Sequence, residues 1–344
     1  MDFTNLQKLT QLDGISGRES AVREEIVHQL VPLAKEVHTD AMGNVLAFVP
    51  GKSEKTLILS AHMDEVGLMI SYISAEGFLF FTTVGGIDYR TLLAQRVRVH
   101  TARGVLTGVI GTKPAHITSA ADRSKSVPLE ELYIDVGLGS ATAQYVQVGD
   151  FATLQRPYEE LGDDFVSTKA LDDRVGCFCI LEALKKVPHP ALNVQVVFST
   201  QEEVGLRGAM AAATGLKADV ALAVDATGAA DVPFCHPKDY IMRLGGGAGI
   251  SALDAATITQ AWLFENLKAL CEQQQIAYQV RIAPRGGNDA GAFSRMGMPA
   301  CALSVPVRNI HSNVEVANKG DIVAMIDLLS AILAGKLQLP KEDL

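Results

Sequence analysis

Basic charge is in short supply in this chain: its 344 residues hold 30 Lys and Arg against 39 Asp and Glu, a formal net charge of −9 at pH 7. Nucleic acid and anionic membrane both call for a basic surface, so neither is expected as a partner; small substrates or peptides remain. Long hydrophobic runs are also missing, and no apolar stretch approaches the roughly 20 residues of a membrane span. The opening Met1-Asp2-Phe3-Thr4-Asn5 lacks the basic and apolar regions of a signal peptide, which predicts a cytoplasmic protein. Cysteine is sparse and odd in number. Cys177, Cys179, Cys235, Cys271 and Cys301 stand mostly among apolar residues and read as reduced core thiols rather than a disulfide framework. Cys177-Phe178-Cys179 has the wrong spacing for a zinc knuckle. Internal repeats and low-complexity segments are absent too. What is present is the composition of an ordinary globular protein, 48% hydrophobic and 20% charged, with enough length for two domains.

The most informative stretch is Val194-Gln195-Val196-Val197-Phe198-Ser199-Thr200-Gln201-Glu202-Glu203-Val204-Gly205. Its β-rich apolar run predicts a buried strand that delivers two adjacent carboxylates to the rim of an α/β sheet, where ligands bind in such folds. Successive side chains diverge at a strand end, so Glu202 and Glu203 serve different tasks: one faces a metal, the other a water. Thr56 to Ala61 is a second buried strand and runs into His62-Met63-Asp64-Glu65. Val220 to Val224 is a third, ending at Asp225. Cys301 to Val305 leads to His311.

Helices are expected from a capping box at Ser16 and Glu19 to about Lys35, from Asp172 to Lys186, from Gly205 to Ala213, around Ile258 to Leu270, and from Asp321 to about Lys336. Between Gly67 and Asp150 the pattern changes to short strands, including 77–84, 95–100 and 104–110, separated by turn residues. That spacing predicts a small all-β barrel or sandwich inserted into the α/β domain. The expected division is a catalytic domain of residues 1–66 and 160–344 and an inserted domain of residues 67–159.

His62, Asp172, Glu203, Asp225 and His311 each lie at or just after the end of a buried element of the same sheet. Two imidazoles and three carboxylates suit a pair of divalent ions such as zinc or cobalt if one carboxylate bridges. Two such ions hold a water between them, lower its pKa and polarise a substrate carbonyl, which is hydrolase chemistry. Glu202 is then free to act as general base. Asp64, two residues beyond His62, is placed to hold the other nitrogen of that imidazole. Asp289, in a Gly-rich loop, is a candidate to receive a free amino terminus. The remaining histidines read as structural or exposed.

At Ala61-His62-Met63-Asp64-Glu65-Val66-Gly67, Leu171-Asp172-Asp173-Arg174, Glu202-Glu203-Val204-Gly205-Leu206-Arg207-Gly208, Val224-Asp225, Gly286-Gly287-Asn288-Asp289-Ala290-Gly291 and Ile310-His311-Ser312, the chain resembles the tetrahedral, or glutamyl, aminopeptidase family of dinuclear metallopeptidases. The resemblance implies a three-layer α/β/α zinc-exopeptidase domain with a small β-barrel domain used in assembly. It implies that Asp172 bridges the two ions, with His62 and Asp225 on one and Glu203 and His311 on the other, and that Glu202 is the base. It also implies oligopeptide substrates and a homo-oligomer, a dodecameric tetrahedral shell. Where the family often has Gly-Lys-Gly-Pro, this chain has Gly245-Gly246-Gly247-Ala248-Gly249. An alternative within hydrolysis is an amidohydrolase acting on N-acylated amino acids or blocked peptides. An alternative outside it is a nucleotide-binding module with the Gly245–Gly249 stretch as phosphate cradle, although no P-loop Lys-Ser/Thr pair follows.

Overall fold

Residues that alternate between two apolar faces must be covered on both sides, and the strands of this chain do so. A computed structural model describes residues 1–119 and 125–340. The described strands are β1 (Glu36–Thr39), β2 (Val45–Val49), β3 (Thr56–His62), β4 (Gly67–Ile73), β5 (Leu79–Val84), β6 (Arg96–Thr101), β7 (Gly104–Gly111), β8 (Tyr133–Asp135), β9 (Phe151–Leu154), β10 (Glu159–Leu161), β11 (Phe165–Thr168), β12 (Asn193–Ser199), β13 (Val220–Gly228), β14 (Ala248–Asp254), β15 (Tyr278–Ala283), β16 (Ala300–Arg308) and β17 (Glu315–Asn318). The described α-helices are α1 (Thr4–Gln11), α2 (Ser20–Leu30), α3 (Leu171–Lys186), α4 (Arg207–Gly215), α5 (Ala261–Gln274), α6 (Ala290–Arg295) and α7 (Lys319–Leu333).

The main sheet has the order β1-β2-β12-β3-β13-β16-β17-β11-β10, with β14 and β15 branching from β16. Its centre, β12-β3-β13-β16, is parallel, so these four strands deliver their C-terminal ends to one rim. Side-chain alternation sorts the two faces. Leu57, Leu59, Val196, Phe198, Leu222 and Val224 point into the larger core, shared with α1, α2, α3, α5 and α7. Ile58, Val197, Ala221, Ala223, Ala300 and Ala302 point the other way and meet Ala212, Ala213, Ala290 and Phe293 of α4 and α6. The alanines let these two short helices sit close on the sheet. The result is a three-layer α/β/α sandwich.

Strands β4 to β9 close on themselves in the order β4-β5-β8-β7-β6-β9 as a six-stranded barrel. Leu68, Ile70, Leu79, Val97, Val99, Ile110 and Ile134 fill it. A buried ionic seam runs beside the barrel. Lys169 Nζ donates to both oxygens of Glu65 at 2.7 and 2.9 Å, and the Arg174 guanidinium, 0% exposed, donates to the carbonyls of Met63, Leu9 and Leu12. Arg174 thereby fastens the N-terminal segment beneath the strand end at His62.

Two local expectations are corrected. No capping box forms at Ser16: α2 starts at Ser20 and ends at Leu30, and the Ser16 hydroxyl instead donates to Asp64 at 2.6 Å. A long-range charged acceptor has taken the donor that a helix cap would use. The Gly245–Gly249 stretch holds no phosphate-like vacancy, because Gly245 N and Gly247 N donate to the two oxygens of Asp321 at 2.7 and 2.6 Å. Among the described residues, no helix is long and apolar enough to cross a membrane.

Phe178 is 0% exposed in the middle of α3, its ring centroid 6.0 Å from that of Phe3. Phe178→Ala removes most of a buried ring from a close-packed layer and should destabilise the α/β/α sandwich by about 3–5 kcal/mol. Chemical denaturation followed by tryptophan fluorescence and circular dichroism measures the loss; a midpoint within error of the parent would show that this packing is not limiting.

Candidate metal centre

The C-terminal ends of β3, β12 and β13 and the turn after β16 converge on one cavity of about 550 Å³, whose lining includes His62, Asp172, Glu202, Glu203, Asp225 and His311. Each ligand candidate arrives by its own route. His62 is the last residue of β3, and Asp225 lies within β13. Glu202 and Glu203 follow β12 through Gln201, whose φ is +55°. Asp172 and Asp173 have non-helical dihedrals at the start of α3, joined by a cis peptide, and His311 sits in the turn between β16 and β17 with φ +60°.

The geometry centres on Asp172. Its Oδ1 is 3.0 Å from His62 Nε2 and its Oδ2 is 3.3 Å from His311 Nε2. Asp225 Oδ1 lies 3.7 Å from His62 Nε2, and Glu203 Oε1 lies 3.4 Å from His311 Nε2. Glu202 Oε2 approaches His62 Nε2 at 4.0 Å. One carboxylate thus stands between two half-sites, each with an imidazole and a second carboxylate. Donor atoms of His62, Asp172 and Glu203 all lie within 4.8 Å of one another, as do those of His62, Asp173 and Asp225. Asp173 is already engaged, accepting from His62 N at 3.1 Å and from Gly176 N at 2.9 Å.

Both imidazoles are oriented from behind. His62 Nδ1 is 3.0 Å from the Asp64 carbonyl oxygen and 3.4 Å from its Oδ1, and His311 Nδ1 is 2.8 Å from the Gly86 carbonyl oxygen. A carbonyl can only accept, so each Nδ1 carries a proton, and each Nε2 faces Asp172, to which it donates while the ring is charged. Loss of the Nε2 proton would leave the tautomer whose lone pair a metal ion takes. Asp64 is 0% exposed and accepts from Ser16 Oγ, Glu202 N and Glu203 N.

The electrostatics show an anionic cluster short of positive charge. Burial, reinforced by neighbouring acids, pushes Glu202 and Asp225 well above the usual carboxylate range, and burial with Asp172 raises Glu203 to about 7. Burial opposes ionisation of Asp172 as well, but hydrogen bonds to His311 and His62 hold it well below that range. Burial also opposes protonation of His311, yet Asp172 and Glu203 raise it to about 10. Glu203 Oε1 is buried with no hydrogen-bond donor. Two Nε2 atoms that can give up a proton, an ionised central carboxylate and an orphaned carboxylate oxygen form a donor set that fits divalent cations.

Some contributors carried no signal in the sequence. Glu315, buried in β17, accepts from Asp172 N at 3.0 Å and His311 N at 2.8 Å. Gly85-Gly86 reads as a strand break, yet the Gly86 carbonyl orients a histidine 225 positions away. Asp289 is not at the rim: it is 3% exposed, beneath the site, with Oδ2 accepting from Ser60 and Ser199 at 2.7 and 2.6 Å. It is therefore removed from the list of groups that could meet a free amino terminus.

Comparison with known proteins agrees with this architecture. The M42 glutamyl aminopeptidase family model matches residues 43–328. A putative aminopeptidase of Acetivibrio thermocellus is 36% identical over 331 residues, covering 95% of this chain and 97% of that one. The lysyl aminopeptidase of Pyrococcus furiosus is 31% identical over 344 residues, covering 97% of each. Among solved structures, the Pyrococcus horikoshii TET1 peptidase, described as able to assemble into a tetrahedron or a large octahedral shell, superposes with a TM-score of 0.88 at 35% identity, covering 96% of this chain and 98% of that one. A family match across most of the length, joined to a shared fold, leads to one assignment: the chain belongs to the M42 glutamyl aminopeptidase family and is a peptide-bond hydrolase.

Proposed function

We propose that this protein removes N-terminal residues from oligopeptides, using two divalent metal ions per chain, with zinc or cobalt the best match to the donors. The observation that carries the reading is the position of Asp172, whose two oxygens face the Nε2 atoms of different histidines at 3.0 and 3.3 Å. His62 and Asp225 would hold one ion, Glu203 and His311 the other, and Asp172 would bridge them. Bound there, the pair would supply a water of lowered pKa and a Lewis acid for the scissile carbonyl.

The chain's own groups account for the proton traffic. Glu202 lines the cavity beside these residues and is raised in proton affinity by burial, so it can take a proton from the attacking water and return it to the departing amine. Its backbone amide is tied to Asp64 Oδ1 at 3.0 Å, which fixes where its side chain starts. Asp64 acts as a positioning residue through the His62 ring and the Glu202-Glu203 backbone.

For assembly, we propose a homo-oligomer, specifically a dodecamer, with residues 67–159 as the unit used for contacts. Family membership and the shell described for the P. horikoshii relative support it. A shell would admit only peptides able to enter.

Three outcomes test these readings. Glu202→Gln should retain both ions by elemental analysis while kcat falls about 10²- to 10⁴-fold, whereas Asp172→Ala should lose bound metal as well as turnover; near-normal turnover by the Glu202 variant would remove it from the base role. A free peptide should be cleaved and its N-acetylated form spared, both followed by chromatography; equal rates would favour the blocked-peptide amidohydrolase instead. Light scattering should give a mass twelve times that of the 36.7 kDa chain, and a monomeric mass would refute the shell.

A further inference from the structure

The five ligand candidates differ in what holds their backbones. His62 and Asp225 lie within β3 and β13, paired with Ser199 and Ser304 of neighbouring strands, so the sheet itself fixes them. Glu203 is held from Asp64, which accepts from its amide at 3.2 Å. Asp172 and His311 belong to no ladder. Asp172 follows β11 with ψ 109°, outside the helical range, and His311 stands between β16 and β17 with φ +60°, a left-handed value uncommon outside glycine.

Both of these unladdered backbones end on one side chain. Glu315, the first residue of β17, is 2% exposed; its Oε2 accepts from Asp172 N at 3.0 Å and its Oε1 from His311 N at 2.8 Å. Sheet order explains the meeting. β17 lies between β16 and β11 and is antiparallel to both, so its first residue stands at the rim where those two strands end. Among the described residues neither oxygen has another donor. A carboxylate removed from water is thus committed wholly to the amides of two ligand candidates.

The turn at His311 does not need Glu315 in order to close. Ser312 Oγ donates to the Asn309 carbonyl at 2.6 Å and accepts from Val314 N at 3.2 Å, and Asn309 Nδ2 donates to the Val314 carbonyl at 3.3 Å. What Glu315 adds is a tie between that turn and the chain at Asp172. Beyond the tie, Asp172 Oδ2 stands 3.3 Å from His311 Nε2, and Glu203 Oε1 stands 3.4 Å from the same nitrogen. Neither of the two Glu315 bonds touches His62 or Asp225, so the tie acts on one half-site more than on the other.

We propose that Glu315 is a positioning residue: by holding the Asp172 and His311 amides on one carboxylate, it sets the spacing of the Glu203–His311 half-site and hence the affinity of that half-site for its ion. The inference rests on the two-ion reading above. It requires no contact between Glu315 and metal or substrate. Groups that orient metal ligands from behind change metal affinity by about 10- to 100-fold, and a tie that fixes two ligand backbones at once falls in that range.

The test titrates the metal-free protein with Zn²⁺ by calorimetry and with Co²⁺ by visible absorption, which reports the coordination of each ion as it binds. The parent should take up two ions per chain. His311→Ala, which removes a ligand outright, identifies the binding step that belongs to the Glu203–His311 half-site. Glu315→Ala should weaken that same step by about 10- to 100-fold, alter its Co²⁺ spectrum and leave the other step at the parental affinity. Glu315→Gln fills the same space and keeps one acceptor but turns an NH₂ toward the second amide, so it should weaken the same step by about tenfold. A side chain needed only for packing would be replaced by Gln without loss. Parental binding of both ions by Glu315→Gln, or equal loss of both, would overturn the positioning role while leaving the two-ion reading intact. A parent that binds fewer than two ions would overturn that reading and the positioning role with it.

Discussion

A charge that has left water needs its partners fixed in space, and in this protein that requirement is concentrated on Asp64. Its carboxylate is 0% exposed and draws donors from three separate stretches: Ser16 before α2, the backbone amides of Glu202 and Glu203 after β12, and the ring of His62 at the end of β3. Burial opposes its ionisation, and the contacts to His62, Ser16 and Glu202 outweigh that and hold its pKa below the usual value. A buried carboxylate so satisfied favours one arrangement over neighbours that would leave it partly unpaired. The same few bonds set the tilt of an imidazole and the path of two adjacent glutamates. Asp64 thus governs where His62, Glu202 and Glu203 stand without itself lining the cavity.

The sheet explains why those groups are near one another at all. Parallel pairing of β12, β3, β13 and β16 places equivalent ends of four strands at one edge, and alternation fixes which side chains enter each core. The strand interiors are apolar on both faces, so the first polar positions occur where the strands leave the cores. Charged groups that would be costly inside the sandwich therefore gather at its rim, where they can share cations or water. The thin face of alanines lets α4 and α6 sit close on that side of the sheet.

Much of this was legible in the chain because it depends on short-range pattern. Val194 to Ser199, Thr56 to His62 and Val220 to Asp225 announce buried strands with polar ends, and the shift to short strands after Gly67 announces the inserted barrel. The residues missed or misplaced share a different origin. Glu315 binds the backbone at Asp172 across 143 positions, Ser16 binds Asp64 across 48, and Asp289 is buried by serines of two distant strands. Local periodicity does not encode such pairings. The Ser16-Glu19 spacing fits a helix start, but the long-range acceptor outcompeted it. Backbone atoms are harder still to foresee, since every residue carries a carbonyl and only the folded chain selects which one meets an imidazole.

The Gly86 carbonyl is the case with the widest reach. It lies just past a barrel strand, yet it steers His311, which belongs to the turn between β16 and β17 of the main sheet. The small barrel is therefore not a detachable handle: excising it, or grafting the α/β sandwich onto another scaffold, would leave one ring free to swivel. Barrel and histidine meet at a single oxygen atom, so a shift of the barrel against the sandwich would also turn that ring.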